Sequence, residues 1–102
     1  TCYYCGGLVM DDELKETLII LQEELIESAQ VISKIFRFGP DQIVPDTDTT
    51  NLHRLEAELG DVQAMIELLV DLKLGINDQG LFEAKMKKFG KLKQWSNLTI
   101  NK

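Results

Sequence analysis

The feature that most constrains the fold is the long stretch from Asp11 to about Phe36, in which no residue breaks a helix. Asp11 or Asp12 is a natural N-cap, and Gly39 followed by Pro40 stops the helix at its other end. One side of this helix carries residues at three- and four-residue spacing, which predicts an amphipathic helix. These residues are Leu14, Leu18, Leu21, Leu25, Ser28, Ile32 and Ile35.

Two more helices follow after a loop. Residues 39–50 contain both prolines and no helical period, so we predict a loop there. A second helix is expected to run from a cap at Thr50 or Asn51 to Leu74, and a third, lysine-rich helix to begin near Asn77. The sequence therefore predicts an all-α fold with two long antiparallel helices and a shorter basic C-terminal helix. The predicted apolar face of the second helix is Leu55, Leu59, Val62, Ile66, Leu69 and Val70.

Length and charge limit the classes of function. A chain of 102 residues is long enough for one domain, which we divide into a flexible N-terminal segment (1–10), a helical domain (11–96) and a C-terminal tail (97–102). The net charge of −6 argues against binding to a nucleic-acid polymer, because phosphate contacts need clustered Lys and Arg. No apolar run approaches the ~20 residues of a membrane span, and no signal-peptide pattern opens the chain. We therefore expect a cytoplasmic protein.

Both cysteines lie in the opening TCYYCGG. Cys2 and Cys5 have the spacing of half a zinc knuckle, but a structural zinc site needs four ligands. A second copy of the chain can complete such a site, the pair can close a local disulfide, or both can remain free thiols. These three interpretations stay open.

Two pairs of carboxylates carry the functional signal. Glu24 and Glu27 are one helical turn apart beside Val31, and Glu58 and Asp61 repeat the spacing on the second helix. An ionised carboxylate on an apolar face is costly unless a cation compensates it. Two facing helices with these pairs supply the oxygen ligands that a hard divalent ion prefers, and Mg²⁺ fits best, with Mn²⁺ as a substitute.

Other interpretations of these carboxylates remain. Most acidic pairs on helices lie on solvated faces, and the chain is then a helical interaction module without catalysis. Glu58 can also pair with Arg54, one turn earlier. A di-iron bundle is disfavoured because such sites use Glu-x-x-His pairs, and neither acidic pair contains a histidine.

The acidic pairs resemble a known motif. Glu24-x-x-Glu27 followed by Glu58-x-x-Asp61 is similar to the ExxE…ExxD motif of the all-α nucleoside triphosphate pyrophosphatases, the MazG-like proteins. EELIESAQVISKIFRFG and LEAELGDVQAMIELL resemble the first and second helices of their short, phage-type members, and EAKMKKFGKLKQW resembles their basic helix. The resemblance covers about residues 11–96. The long gap between the acidic pairs and the opening TCYYCGG depart from the family pattern.

The resemblance implies hydrolysis of a (deoxy)nucleoside triphosphate, with a lean to a purine such as dGTP, to monophosphate and pyrophosphate. It makes the four carboxylates the catalytic and metal-binding residues, and it matches Lys85 and Lys88 to phosphate-binding positions. Lys34 lies two turns beyond Glu27 on nearly the same side of the first helix, so it is a further candidate to bind phosphate. Phosphoribosyl-ATP is the alternative substrate within the family.

Self-association is the last expectation. Ile19 and Ile26 fall on the far side of the first helix from its main apolar face. A helix that is apolar on both sides is expected to be buried once in its own chain and once against a partner. We therefore predict dimers or tetramers that resemble a four-helix bundle.

Overall fold

The computed structural model describes residues 10–102 of the chain. Within these residues the protein is all-helical, and its only β-type pairing is an isolated bridge between Ile43 and Thr50. The predicted all-α class is thus confirmed. Cys2 and Cys5 lie outside the described residues. The three helices are α1 (Asp12–Phe38), α2 (Asn51–Asp71) and α3 (Asp78–Trp95).

Side chains predicted to cap the helices do so. Asp11 accepts a hydrogen bond from the backbone N–H of Leu14, Thr50 accepts one from His53, and Asn77 one from Gly80. Each cap satisfies one of the N–H groups that the first turn of a helix leaves without a partner. Short polar residues at these positions therefore fix where each helix begins.

The ends of the first two helices differ from the prediction. α1 continues to Phe38, where Gly39 turns the chain with φ 97° and donates its N–H to the carbonyl of Ile35. α2 ends at Asp71 and not at Leu74. Lys73 adopts a φ of 58°, so the chain leaves the helix before it reaches Gly75. No residue between Asp71 and Gly75 is a strong helix breaker, which is why the sequence pattern overran the true end.

α1 and α2 pack against each other along a narrow seam, and this is the only extensive helix–helix contact within residues 10–102. The buried apolar side chains of the seam are Val31, Val62 and Leu69. Thr17 and Ser28 are also buried there, and each hydroxyl donates to the backbone carbonyl one turn earlier in α1. Because these hydroxyls are satisfied locally, two small polar residues can be buried in the seam.

The buried side of α1 is rotated from the predicted apolar face. Ser28 of that predicted face is buried, but Leu25 and Ile32 are exposed. On α2, Val62 and Leu69 are buried as predicted, whereas Leu59 is exposed. The apolar stripe of each helix is wider than the sector that a single neighbouring helix covers, so part of it remains in solvent.

A cluster of hydrogen bonds around Asn51 closes the end of the hairpin that α1 and α2 form. Asn51 is only 3% exposed, and its side-chain N–H groups donate to the carbonyl of Gly39 at 3.0 Å and to Oε1 of Gln42 at 3.3 Å. The backbone N–H of Asn51 donates to the carbonyl of Gln42, and that of Leu52 to Pro40. These contacts join the loop to the first turn of α2, and no hydrogen bond in the described part of the chain joins the loop to the acidic pairs.

The third helix diverges from the hairpin. α3 has no buried residue, and its first two turns form an open groove of ≈ 1000 Å³ with the last three turns of α2. Leu81 and Phe82 line the α3 side of this groove, and Ile66 and Val70 line the α2 side. None of the helices in residues 10–102 has the length and apolar composition that crossing a bilayer requires.

We expect Asn51→Ala to destabilise the fold by about 1–3 kcal/mol, because it removes two hydrogen bonds of a buried side chain, one of them to the part-buried carbonyl of Gly39. Asn97→Ala, at an exposed asparagine outside the helices, is the control and should change the unfolding free energy by less than about 0.5 kcal/mol. Urea unfolding of both variants measures the difference. If the two variants are equally stable, the hydrogen bonds of the Asn51 side chain do not stabilise the loop.

Candidate metal centre

The hairpin brings the two acidic pairs together at one side of the seam. Oxygen atoms of Glu24, Glu27 and Glu58 all lie within 4.8 Å of one another. Asp61 is outside this group of three but acts electrostatically on Glu24 and Glu27. Since Glu27 faces Glu58 while the earlier Glu24 is next to the later Asp61, the two helices run antiparallel, as predicted.

Glu58 is the most enclosed of the four carboxylates. It is 8% exposed, and its Oε2 is buried without a hydrogen-bond partner among the described residues. Its other oxygen, Oε1, accepts from Nε of Arg54 at 3.4 Å, which is long for a hydrogen bond. Arg54 itself is 45% exposed in its side chain, so solvent weakens the attraction. This single contact leaves the buried carboxylate poorly compensated.

Glu24 contributes a second unpartnered oxygen. Its Oε2 is buried and has no hydrogen-bond partner in the part of the chain that the structure describes. Two buried acceptor atoms without donors in one cluster are unusual, because buried polar atoms in folded proteins are nearly always paired. A cation bound between them would satisfy both, which is the observation that favours a metal centre over a solvated acidic face.

The environment raises the pKa of Glu24. Partial burial is the main cause of a pKa above the ordinary value of 4.5. Repulsion from Glu27, then from Asp61 and Glu58, raises the pKa further. Protonation would also allow a hydrogen bond between Glu24 and Asp61, and this raises the pKa in the same direction. Without a cation, Glu24 thus binds a proton at a higher pH than an ordinary glutamate does.

The pKa of Glu27 is raised for a different reason. The largest cause is the hydrogen bond that Glu27 can donate to Glu58 only when Glu27 is protonated, because two ionised carboxylates have no donor between them. Partial burial comes second, and repulsion from Glu58, Glu23 and Asp61 adds to it. Glu27 therefore takes up a proton at a higher pH than an ordinary glutamate does.

The lysines predicted to bind phosphate are not gathered at these carboxylates. The side chains of Lys34, Lys85 and Lys88 are exposed, and of the described residues only Arg54 forms an ion pair with one of the four carboxylates. Lys34 is on the same helix as Glu27, two turns further on. The roles of the three lysines stay predictions.

Lys85 lines the groove between α2 and α3, with its Nζ 5.7 Å from the ring centroid of Phe82. On α2 the same groove is lined by Ile66 and Val70. At about 100° per residue, Ile66 is turned about 80° and Val70 about 120° from Glu58. Within one chain, Lys85 therefore approaches a different side of α2 from the one that carries Glu58.

Arg54 is the one basic residue that the structure adds to the cluster. Its i,i+4 spacing to Glu58 is the sequence signal for this contact. The contact was one of the alternatives open from sequence, and it coexists with the unpartnered Oε2 of Glu58. An ion pair and a metal-ligating oxygen are thus compatible on the same carboxylate.

The donor set is suited to a hard divalent cation. Three carboxylates within 4.8 Å of one another can supply oxygen ligands, and Mg²⁺ prefers one or a few carboxylates, with water or phosphate in its other positions. No histidine or cysteine belongs to this group, so softer metals lack the ligands they select.

Comparison of the chain with models of protein families, with curated proteins and with solved structures finds no match.

The raised pKa values predict how the stability of the metal-free protein depends on pH. Between pH 4.5 and the raised values, the folded chain holds protons that the unfolded chain has released. The unfolding free energy should therefore fall as the pH rises through this window. Glu24→Gln removes one of the two groups with a raised pKa and should make the unfolding free energy depend less steeply on pH. Glu16→Gln is the control, because it removes a charge from α1 outside the cluster. Identical slopes for these two variants in chelator-treated urea titrations would contradict the prediction.

Proposed function

We propose that this chain is a Mg²⁺-dependent pyrophosphohydrolase that cleaves a (deoxy)nucleoside triphosphate to the monophosphate and pyrophosphate. The observation that carries the proposal is the cluster of Glu24, Glu27 and Glu58, with its two buried oxygens that lack partners. The resemblance of the acidic pairs to the MazG-like motif supports this reaction in particular. Control of a nucleotide pool would place the activity in the cytoplasm, that of the host if the chain is viral.

The reaction requires charge neutralisation and a positioned water. Attack of water on the α-phosphorus breaks the bond to the oxygen that bridges the α- and β-phosphates, and pyrophosphate leaves. A Mg²⁺ ion held by Glu24, Glu27, Glu58 and Asp61 would supply positive charge beside the triphosphate and its leaving group. The protein must still orient the water and accept its proton.

Glu27 is suited to the role of base. It is exposed, whereas Glu58 is buried, so of the two it is the one that solvent water can reach. In the metal-free protein its pKa is raised above that of an ordinary glutamate, and a carboxylate with a higher pKa is a better proton acceptor. Glu58 and Glu24, with their buried oxygens, are the better candidates to hold the cation.

Lysines complete the proposed substrate site. Lys34 extends from the same helix as Glu27 and can meet a phosphate bound there, while Lys85 and Lys88 belong to the basic helix that the resemblance matches to phosphate binding. The chain acts as a dimer or tetramer in this proposal. A second copy would close the site, because the hairpin alone leaves Glu27 and Asp61 exposed.

A non-catalytic interaction module is the second candidate, and a specific observation favours it. Large apolar residues such as Leu25, Leu59 and Phe82 are exposed, as expected of a chain that works by contacting another protein. Calorimetric titration with Mg²⁺ or Mn²⁺ distinguishes the enzyme from the interaction module, because a module with unused carboxylates has no saturable metal site.

The reaction is tested with a panel of ribo- and deoxynucleoside triphosphates, dGTP among them, together with phosphoribosyl-ATP. We expect pyrophosphate as the first product, since the cleaved bond is at the α-phosphorus, and no turnover with EDTA. Phosphoribosyl-ATP as the preferred substrate would select the alternative within the family. Orthophosphate as the first product would place the cleavage at another bond and contradict the proposal.

Glu58→Gln separates the metal role from a structural one. The amide keeps an oxygen that can accept from Arg54 and removes one charge from the cluster. We therefore expect no turnover but a metal-free protein at least as stable as the wild type. Wild type should gain about 2.7 kcal/mol at a hundredfold excess of Mg²⁺ over its Kd, and the variant much less.

Thermal melts with metal and with EDTA measure both effects, and Glu56→Gln, at an exposed position of α2, is the control. It should keep the activity and the gain from metal. If Glu58→Gln melts well below both proteins in EDTA, Glu58 serves the fold through Arg54, and its assignment to the metal fails.

A further inference from the structure

One basic side chain lies at the carboxylates although the sequence did not predict it to bind phosphate. Arg54, in the first turn of α2, contacts Glu58, with its Nε 3.4 Å from Oε1. The lysines that were predicted to bind phosphate form no ion pair with the four carboxylates within residues 10–102. Arg54 is therefore the described basic residue in direct contact with the proposed metal ligands.

The contact with Glu58 uses little of the hydrogen-bonding capacity of Arg54. A guanidinium carries five N–H donors in a planar fork. Within residues 10–102, the bond from Nε is the one hydrogen bond that the Arg54 side chain donates. This bond is long, and the side chain is 45% exposed, so solvent screens the pair. The terminal N–H groups thus have donors to offer to a ligand.

Helix geometry places Arg54 between the acidic pairs and the loop that joins α1 to α2. At about 100° per residue, Arg54 is turned about 40° from Glu58 and about 20° from Asp61, so the three share one side of α2. Arg54 lies about 6 Å along the helix axis from Glu58, towards the loop. On α1, Lys34 lies about 10 Å from Glu27, also towards the loop. Both helices therefore carry a basic residue on the loop side of the carboxylates.

This division of charge suits a triphosphate that shares a cation with the carboxylates. Phosphate oxygens need donors and positive charge, and a guanidinium can bind phosphate through two parallel hydrogen bonds. A cation at the carboxylates would also offset part of the charge of Glu58 and weaken its attraction for Arg54. Arg54 would then replace a long, solvent-screened contact with a stronger one to phosphate.

We propose that Arg54 binds a phosphate group of the triphosphate, and that the triphosphate extends from the carboxylates towards the loop between α1 and α2. This inference rests on the proposed function and adds a substrate-binding residue to it. Arg54 supplies one positive charge, so it acts together with the predicted lysines and does not replace them.

The chain contains two arginines, which provide a matched pair of substitutions. Arg54→Gln removes the guanidinium at the carboxylates. Arg37→Gln removes the same charge near the end of α1, where Arg37 is exposed and lies over the ring of Phe38, 4.9 Å from its centroid. Arg54→Lys keeps the charge but loses the planar fork. Circular dichroism checks that each variant retains its helicity.

Calorimetry measures two affinities for each protein, that for Mg²⁺ alone and that for inorganic tripolyphosphate at saturating Mg²⁺. We expect Arg54→Gln to weaken tripolyphosphate binding at least about tenfold, since it loses a hydrogen bond between charged groups. Arg37→Gln should bind tripolyphosphate as wild type does. The affinity of Arg54→Gln for Mg²⁺ should equal or exceed that of wild type, because Glu58 loses a competing positive charge.

Arg54→Lys separates the charge of the side chain from its shape. We expect its affinity for tripolyphosphate to lie between those of wild type and Arg54→Gln, because an ammonium group attracts phosphate without the two parallel hydrogen bonds. If Arg54→Gln fails to fold, Arg54→Lys alone tests the proposal. It should then bind tripolyphosphate more weakly than wild type at an unchanged affinity for Mg²⁺.

Two results would overturn the role of Arg54 and leave the proposed function in place. If Arg54→Gln binds Mg²⁺ and tripolyphosphate as wild type does, Arg54 does not contact phosphate. If it weakens the binding of both by the same factor, Arg54 acts only by positioning Glu58. Wild type without saturable Mg²⁺ binding would instead contradict the proposed function, and the role of Arg54 with it.

Discussion

The architecture depends on a thin seam between two antiparallel helices. Val31, Val62 and Leu69 are its only buried apolar residues within 10–102, and Ser28 and Thr17 fill the spaces beside them. Because a single row of contacts holds α1 to α2, both sides of the hairpin remain close to solvent. One side presents carboxylates, and elsewhere large apolar side chains such as Leu25 and Leu59 remain exposed.

The carboxylate side shows a conflict between folding and charge. Packing α1 on α2 brings Glu24 and Glu27 against Glu58, and the raised pKa values of the first two record the cost of that approach. A soluble scaffold gains nothing by burying oxygen atoms without partners. A bound cation would offset the repulsion between the carboxylates and would also supply a partner for each buried oxygen. The electrostatic cost of the metal-free fold is thus connected with the proposed activity.

The sequence predicts the helices and the meeting of the acidic pairs better than the packing. Caps and periodicity are local, so Asp11, Thr50 and Asn77 could be identified without a structure. Which part of a wide apolar stripe is buried depends on where the neighbouring helix lies, and this is not local information. Gly60 shows the same limit. We would attribute a mid-helix glycine to close packing, yet apart from its chain neighbours and the backbone of its own helix, no described atom lies within 4 Å of where its Cβ would be.

The lysines predicted to bind phosphate lie apart from the carboxylates within one chain. Lys85 lines the groove between α2 and α3, and no hydrogen bond or ion pair joins α3 to the carboxylates in the described residues. A triphosphate bound at the acidic cluster nevertheless needs positive charge beyond one cation, since it carries several negative charges itself. In the proposed dimer or tetramer, a second copy of the chain would supply that charge, and self-association would then be part of the site as well as of the fold.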